Sequence, residues 1–201
     1  MGKIDFKKTL KHLYSASARE PALVEVPEMS FLWVDGRGAP DSPMFQSAVQ
    51  LLYGLSYSLK FALKKKGQEY GVPPLEGLWW IEGMEGFDVN RRDEWSWSAM
   101  IMQPEFVTAE LVEEARLQLA RKRGEPSVQA RLKPFHEGLC AQIMHLGPYA
   151  AEGPTLEKLH RFVEEQGYRL HGRHHEIYLG DPQRSAPEKL KTLLRHPIRR
   201  P

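Results

Sequence analysis

The sequence lacks several features that would place it in a familiar class. It contains one cysteine, Cys140, so an intramolecular disulfide and a thiolate zinc cluster are both excluded. No stretch approaches the ~20 apolar residues of a membrane-spanning helix, and residues 1–10 carry charges where a signal peptide needs an apolar core. We therefore expect a cytoplasmic protein with no membrane partner.

Neither sign of charge is in excess. The 28 basic and 26 acidic residues give a net charge of +2, whereas nucleic-acid binding usually needs a clustered basic surface. The basic C-terminal residues, Arg195 to Pro201, are typical of a solvated tail. A hydrophobic content of 41% is that of a globular domain, so we expect a folded protein without a nucleic-acid partner.

Hydrophobic periodicity predicts an α+β fold. Apolar residues recur at helical spacing in four segments and alternate with polar ones in several others, bounded by glycine and proline. The predicted helices cover residues 5–14, 43–66, 109–123 and 155–166, and the predicted strands cover residues 22–34, 75–82, 95–103, 137–145 and 174–179.

The order strand, Gly/Pro turn, helix, strand occurs twice. The turns GRGAPDSP (36–43) and GPYAAEGPT (147–155) each precede a helix. This predicts a duplicated strand-helix-strand-strand module with pseudo-twofold symmetry, built on an antiparallel sheet with its helices packed on one face. We expect one domain over residues 1–201, repeat halves at about 22–125 and 130–198, and a ligand groove between the helices or at the sheet junction.

Four tryptophans lie on two neighbouring predicted strands, at positions 79, 80, 95 and 97. Trp79 and Trp80 face opposite ways on an alternating strand, so one belongs in the core and the other can line a cavity. Each tryptophan taken singly also fits a purely structural core position.

The run HHEIYLGDP, which begins at His174, holds the other candidate group. Glu176 and Tyr178 share one strand face, and Ile177 and Leu179 share the other, which we expect to face the helices. A carboxylate beside a phenol among indole rings suits cation binding or general acid/base chemistry. On an exposed sheet face the same pair would be inert.

Other catalytic patterns are missing. His171, His174 and His175 do not complete a recognised ligand set, since neighbours on a strand point to opposite faces, and we expect no metal. The sequence has no GxSxG elbow, and GRGAP lacks the spacing of a nucleotide-binding loop. We therefore expect no cofactor.

The runs PLEGLWW, MIMQPEFVT, GLCAQIMHLGPYAAEGPTL and HHEIYLGDP, in this order and spacing, resemble the GyrI-like small-molecule-binding family in its stand-alone form. The resemblance implies a duplicated, SHS2-like module whose groove holds a glutamate among aromatic rings, where bulky cationic or planar ligands bind. Glu176 matches that glutamate, and Trp80, Trp97, Tyr149 and Tyr178 are the implied walls.

Three functions follow from the resemblance. The first is binding of bulky aromatic or cationic molecules for detoxification or sequestration by a monomer or homodimer. The second is hydrolysis of cyclopropanoid DNA-alkylating compounds, as in the similar cyclopropanoid cyclopropyl hydrolases, with Glu176 and Tyr149 as catalytic residues. The third is a protein-interaction module like a gyrase inhibitor. Ala39, Met102 and Ala150 depart from the family pattern, which implies different ligand contacts.

Overall fold

The computed structural model describes residues 2–84, 91–181 and 184–201, and these contain five α-helices and nine β-strands. The helices are α1 (Phe6–Thr9), α2 (Lys11–Tyr14), α3 (Pro43–Lys65), α4 (Ala109–Arg123) and α5 (Gly153–Glu165). The strands are β1 (Ala22–Val26), β2 (Met29–Arg37), β3 (Leu75–Ile81), β4 (Trp95–Gln103), β5 (Arg131–Phe135), β6 (Gly138–Leu146), β7 (Arg169–Leu170), β8 (His174–Tyr178) and β9 (Lys191–Arg199). Pro182, in the HHEIYLGDP run, lies outside the described residues.

The strands form an antiparallel sheet that repeats one arrangement twice. Its order is β1-β6-β9-β8-β3-β4-β2-β5, and the short β7 pairs with β9. The triplets β2-β4-β3 and β6-β9-β8 have the same internal order, and they meet where β3 pairs with β8. The fold is therefore the predicted α+β module in duplicate, with its pseudo-twofold axis between β3 and β8.

The first strand of each half pairs with a strand of the other half. β1 pairs with β6 and β2 pairs with β5, in registers that include Val26↔Gly138 and Met29↔Phe135. Because these pairs keep one register, residues 22–37 and 131–146 run as two long antiparallel strands that cross between the halves. The crossing links the outer strands of the two triplets, so the sheet must curve.

The two ends of the chain differ from the predictions. Residues 5–14 form two one-turn helices rather than one helix, and the strand predicted over 22–34 divides at Pro27 and Glu28. The predicted solvated tail is wrong: β9 lies inside the sheet between β6 and β8, and Arg195 is 1% exposed. The basic composition suggested exposure, but Arg195 can be buried because its charge is compensated by Glu137.

The long helices cover one face of the sheet. α3 starts where the Ser42 side chain accepts a hydrogen bond from the Phe45 amide, and it packs Leu52 and Leu59 on β2 and β4. α5 packs Leu159 and Val163 on β6 and β9. The other face is covered by α1 and α2. Among the described helices, none has the length and apolar character needed to cross a membrane.

Candidate functional site

Strand β8 divides its side chains between two differently covered faces. Glu176 lies opposite Leu194, which packs under α5, so His174, Glu176 and Tyr178 face the layer of long helices. Ile177 packs instead with Leu13 of α2. We expected Ile177 and Leu179 to face the long helices, and this was wrong because the N-terminal helices create a second apolar interior on the opposite face.

The Glu176 carboxylate is sheltered and has no strong cationic partner. Its side chain is 12% exposed, and Oε1 lies 3.2 Å from Nε2 of His174. In the described part of the chain, no lysine or arginine lies within salt-bridge distance of it. Tyr178 supplies a hydrogen bond to this carboxylate but no positive charge, so a bound cation would still be attracted to it.

A row of aromatic rings leads from the core to the surface beside this carboxylate. Trp79 Nε1 donates a hydrogen bond to the Tyr178 hydroxyl over 3.0 Å. The Tyr178 ring meets Tyr149 edge to face at 5.6 Å, and Tyr149 is 39% exposed. Gly77 leaves room for the hydrogen bond between Trp79 and Tyr178, since a Cβ at position 77 would lie 2.8 Å from Trp79 Nε1 and 3.0 Å from the Tyr178 oxygen. The row is thus built around a glycine on β3.

Both phenols next to Glu176 hold their protons more tightly than usual. Burial and then the negative charge of Glu176 raise the pKa of Tyr178 well above its ordinary value. The same two causes raise the pKa of Tyr149 to about 12. At neutral pH each hydroxyl is therefore protonated and can donate a hydrogen bond to a ligand or to a carboxylate.

Glu152 is a member of this cluster that the sequence analysis did not single out. It immediately precedes α5, is 6% exposed, and its Oε1 has no hydrogen-bond partner among the described residues. Burial, followed by repulsion from Glu176, raises the pKa of Glu152 to about 9. Only its place in the GPYAAEGPT turn could have drawn attention to it. Glu152, His174 and Glu176 each offer one donor atom, and these three atoms lie within 4.8 Å of one another, a spacing that suits a metal ion.

The two predicted tryptophans lie differently relative to Glu176. Trp80 lies on the opposite face of β3, where the Arg173 guanidinium stacks 3.5 Å from its ring centre. Trp97 lies opposite Trp79 on β4, and so on the sheet face of Glu176, but it is fully buried, with its ring centre 5.0 Å from that of Phe45. Glu176, Tyr178 and Tyr149 do come together, with Trp79 beside them.

The opposite face of β8 carries a second, fully paired set of charges. His175 donates to Glu76 through Nε2 and contacts Glu137 through Nδ1, both at 3.0 Å. Arg195 also reaches Glu137, and the Tyr14 hydroxyl donates to Glu76 at 3.0 Å. Burial alone would lower the pKa of His175, but Glu137 and Glu76 outweigh it and raise the pKa to about 9. This network is a structural element because its charges compensate one another.

Two surface clefts lie away from the Glu176 cluster, each with a volume of about 230 Å³. One lies between α3 and α4, and the other is lined by Trp33, Lys133 and Arg173 on the face opposite the long helices. Neither includes Glu176 or Glu152. We take the Glu176 cluster as the candidate site because it combines a sheltered carboxylate that has no lysine or arginine partner among the described residues, proton donors and an aromatic wall.

Solved structures resemble this chain over nearly its whole length. An uncharacterized conserved protein from Listeria innocua is 42% identical, with a TM-score of 0.92 over 98% of this chain and 100% of that one. A protein from Listeria innocua described as a hydrolase is 41% identical, with a TM-score of 0.89 over the same shares. The C-terminal domain of EcmrR is 13% identical with a TM-score of 0.54, over 90% of this chain and 98% of that one, which shows a shared fold alone.

The sequence itself shows the family. No curated protein matches the chain significantly. The sequence model of the GyrI-like small molecule binding domain family, however, matches residues 19–199, which is most of the chain. This protein is therefore a member of the family of GyrI-like small-molecule-binding domains.

Proposed function

We propose that the protein binds bulky aromatic cations in a groove centred on Glu176, between the repeat halves at about 22–125 and 130–198, and so sequesters or detoxifies them. The observation that carries this proposal is a carboxylate, 12% exposed, that has no lysine or arginine partner among the described residues. In a partly dry groove such a charge attracts a cation far more strongly than it would in water.

The aromatic neighbours supply the second half of the recognition. Tyr149 and Tyr178 present their rings beside the carboxylate, and cations bind to the faces of such rings within about 6 Å. Tyr149 lies at the surface, where a ligand enters, and Tyr178 lies deeper, held by Trp79. A ligand that is both flat and positive uses the charge and the rings together.

The test compares two probes of the same shape and opposite charge. Tetraphenylphosphonium and tetraphenylborate are titrated into the protein by calorimetry. We expect measurable binding of the cation, at least tenfold weaker binding of the anion, and at least tenfold loss of cation affinity in Glu176→Gln. Glu25→Gln, an exposed carboxylate on β1, is the matched control and should keep wild-type affinity. Equal affinity for both probes, or no effect of Glu176→Gln, would overturn the proposal.

Hydrolysis is the second candidate, favoured because relatives 41% and 40% identical are described as hydrolases. In a cyclopropanoid, Glu176 would take a proton from water as the water oxygen bonds to a ring carbon. The breaking carbon–carbon bond would pass its electron pair towards a conjugated carbonyl, which Tyr149 or Tyr178 would protonate. The product then differs from the substrate by one added water.

Mass spectrometry separates binding from hydrolysis. A cyclopropanoid alkylator incubated with the protein gains one water if the groove is catalytic, and the rate falls at least a hundredfold in Glu176→Gln. Unchanged mass of a ligand that nevertheless binds supports the binding function. Full turnover by Glu176→Gln would exclude Glu176 as the catalytic base.

A further inference from the structure

Three donor side chains converge beside the aromatic row. His174 and Glu176 lie two residues apart on β8 and so share a face, and Glu152 reaches them from the start of α5. Their donor atoms all lie within 4.8 Å of one another, and the His174 Nε2 to Glu176 Oε1 distance is 3.2 Å. Ligand atoms around a tetrahedral zinc ion lie roughly 3.3 Å apart, so one edge of such a site is already formed.

Glu152 gives an independent indication. Its side chain is buried, and its Oε1 has no hydrogen-bond partner within the described ranges. A buried carboxylate oxygen that nothing satisfies is costly, and burying it beside a second carboxylate adds repulsion. A positive ion at this position would remove both costs.

The carboxylates of this cluster lack the permanently charged partners that buried carboxylates usually have. Within the described residues, neither Glu152 nor Glu176 has a lysine or arginine within salt-bridge distance. On the opposite face the comparable carboxylate, Glu137, is paired with His175 and Arg195. The two faces of β8 therefore differ in whether an arginine is paired with the carboxylate.

We propose that Glu152, His174 and Glu176 bind one divalent metal ion of the zinc class. One imidazole nitrogen and two carboxylate oxygens suit Zn²⁺, whereas Mg²⁺ prefers oxygen ligands alone. Three protein ligands leave a position open for water or for a substrate group. This inference does not rest on the binding of organic cations, although both occupants would use Glu176.

Calorimetry on chelator-treated protein tests the site with Zn²⁺ alone. We expect one high-affinity Zn²⁺ per chain, no comparable heat from Mg²⁺, and at least tenfold weaker Zn²⁺ binding in Glu152→Gln. His136→Gln removes an exposed histidine and should bind Zn²⁺ like the wild type. No Zn²⁺ binding by the wild type, or unchanged binding in Glu152→Gln, would overturn the proposal.

Two further measurements keep the result interpretable. Thermal unfolding of each variant establishes that it folds, and Zn²⁺ should raise the unfolding temperature of the wild type but not that of Glu152→Gln. Co²⁺ should give the visible absorption bands of a nitrogen and oxygen tetrahedral site in the wild type, and the absence of these bands would contradict the metal site.

Tetraphenylphosphonium binding measured in the presence of EDTA shows whether the organic-cation proposal stands or fails separately.

Discussion

The two faces of β8 carry similar residues that serve different purposes. On the face covered by α1 and α2, His175 is held between Glu76 and Glu137, and Arg195 completes the pairing. On the face of the long helices, Glu176 has a contact with His174 but no lysine or arginine partner among the described residues. Charges that compensate one another stabilise a fold, whereas charges left uncompensated in a sheltered place are available to a ligand.

The face of β8 covered by α1 and α2, called the paired face below, also fixes the N-terminal segment. Arg195 donates to the carbonyl of Leu13, Gln142 donates to the carbonyl of His12 over 2.8 Å, and Tyr14 donates to Glu76. The network therefore ties α2 to strands from both halves of the sheet. On the face of the long helices, Trp79 donates to Tyr178 and His174 contacts Glu176, so these two contacts lie within the sheet.

The largest expected effect comes from Glu137→Gln. Removing this charge leaves His175 and Arg195 buried without their shared partner, and breaking such a pair costs about 3–5 kcal/mol. Glu176→Gln, the matched change on the other face, should alter the free energy of unfolding by less than about 1 kcal/mol. Urea denaturation measures both. Equal losses in the two variants would show that the faces do not differ in structural role.

A change of pH tests the paired face without a mutation. Because His175 has a raised pKa of about 9, its protonated form stabilises the folded state fully below the unfolded pKa of about 6.5. That contribution, roughly 3 kcal/mol, is lost as the pH rises from 6.5 through 9. The free energy of unfolding should fall over this window in urea titrations. In His175→Gln that decrease should disappear, and a flat wild-type profile would contradict the pairing.

Tyr14→Phe probes the tie between α2 and the sheet. It removes the hydrogen bond to Glu76 and leaves a buried carboxylate oxygen with one donor fewer, which costs about 2 kcal/mol. Amide hydrogen exchange in residues 6–14 should become faster, since these helices are single turns that depend on such contacts. Unchanged exchange in that segment would mean that apolar packing alone holds it.

Much of the fold follows from local patterns. The alternation in HHEIY separates His175 from Glu176, and α3 begins at residue 43, as predicted. Strand β9 was not predicted because an arginine such as Arg195 is normally exposed to solvent. It is buried here because Glu137, 58 residues away in the sequence, is its partner. The short strand β5 likewise depends on pairing with β2 in the other half.

The candidate site was less accessible to sequence reasoning. Alternation states that Trp79 and Trp80 face opposite ways, but only the pairing of Gly77 with Glu176 decides that Trp79 shares the face of the carboxylate. Glu152 stands 24 positions from Glu176, and their proximity comes from the packing of α5 on the sheet. Long-range packing, which leaves no local signature, therefore determines which residues meet at the site.

The smallest expected effect concerns Tyr149, at the open end of the aromatic row. Tyr149→Phe keeps the ring, so tetraphenylphosphonium affinity should fall less than about threefold, whereas Tyr149→Ala should lose about tenfold. Neither change should alter the free energy of unfolding by more than about 0.5 kcal/mol, because the side chain is 39% exposed. Phe61→Ala, which removes an exposed ring on α3, is the control and should bind like the wild type. If Tyr149→Phe binds as poorly as Tyr149→Ala, the phenol hydroxyl rather than the ring face makes the contact, and the site beside Glu176 then recognises its ligand by hydrogen bonding.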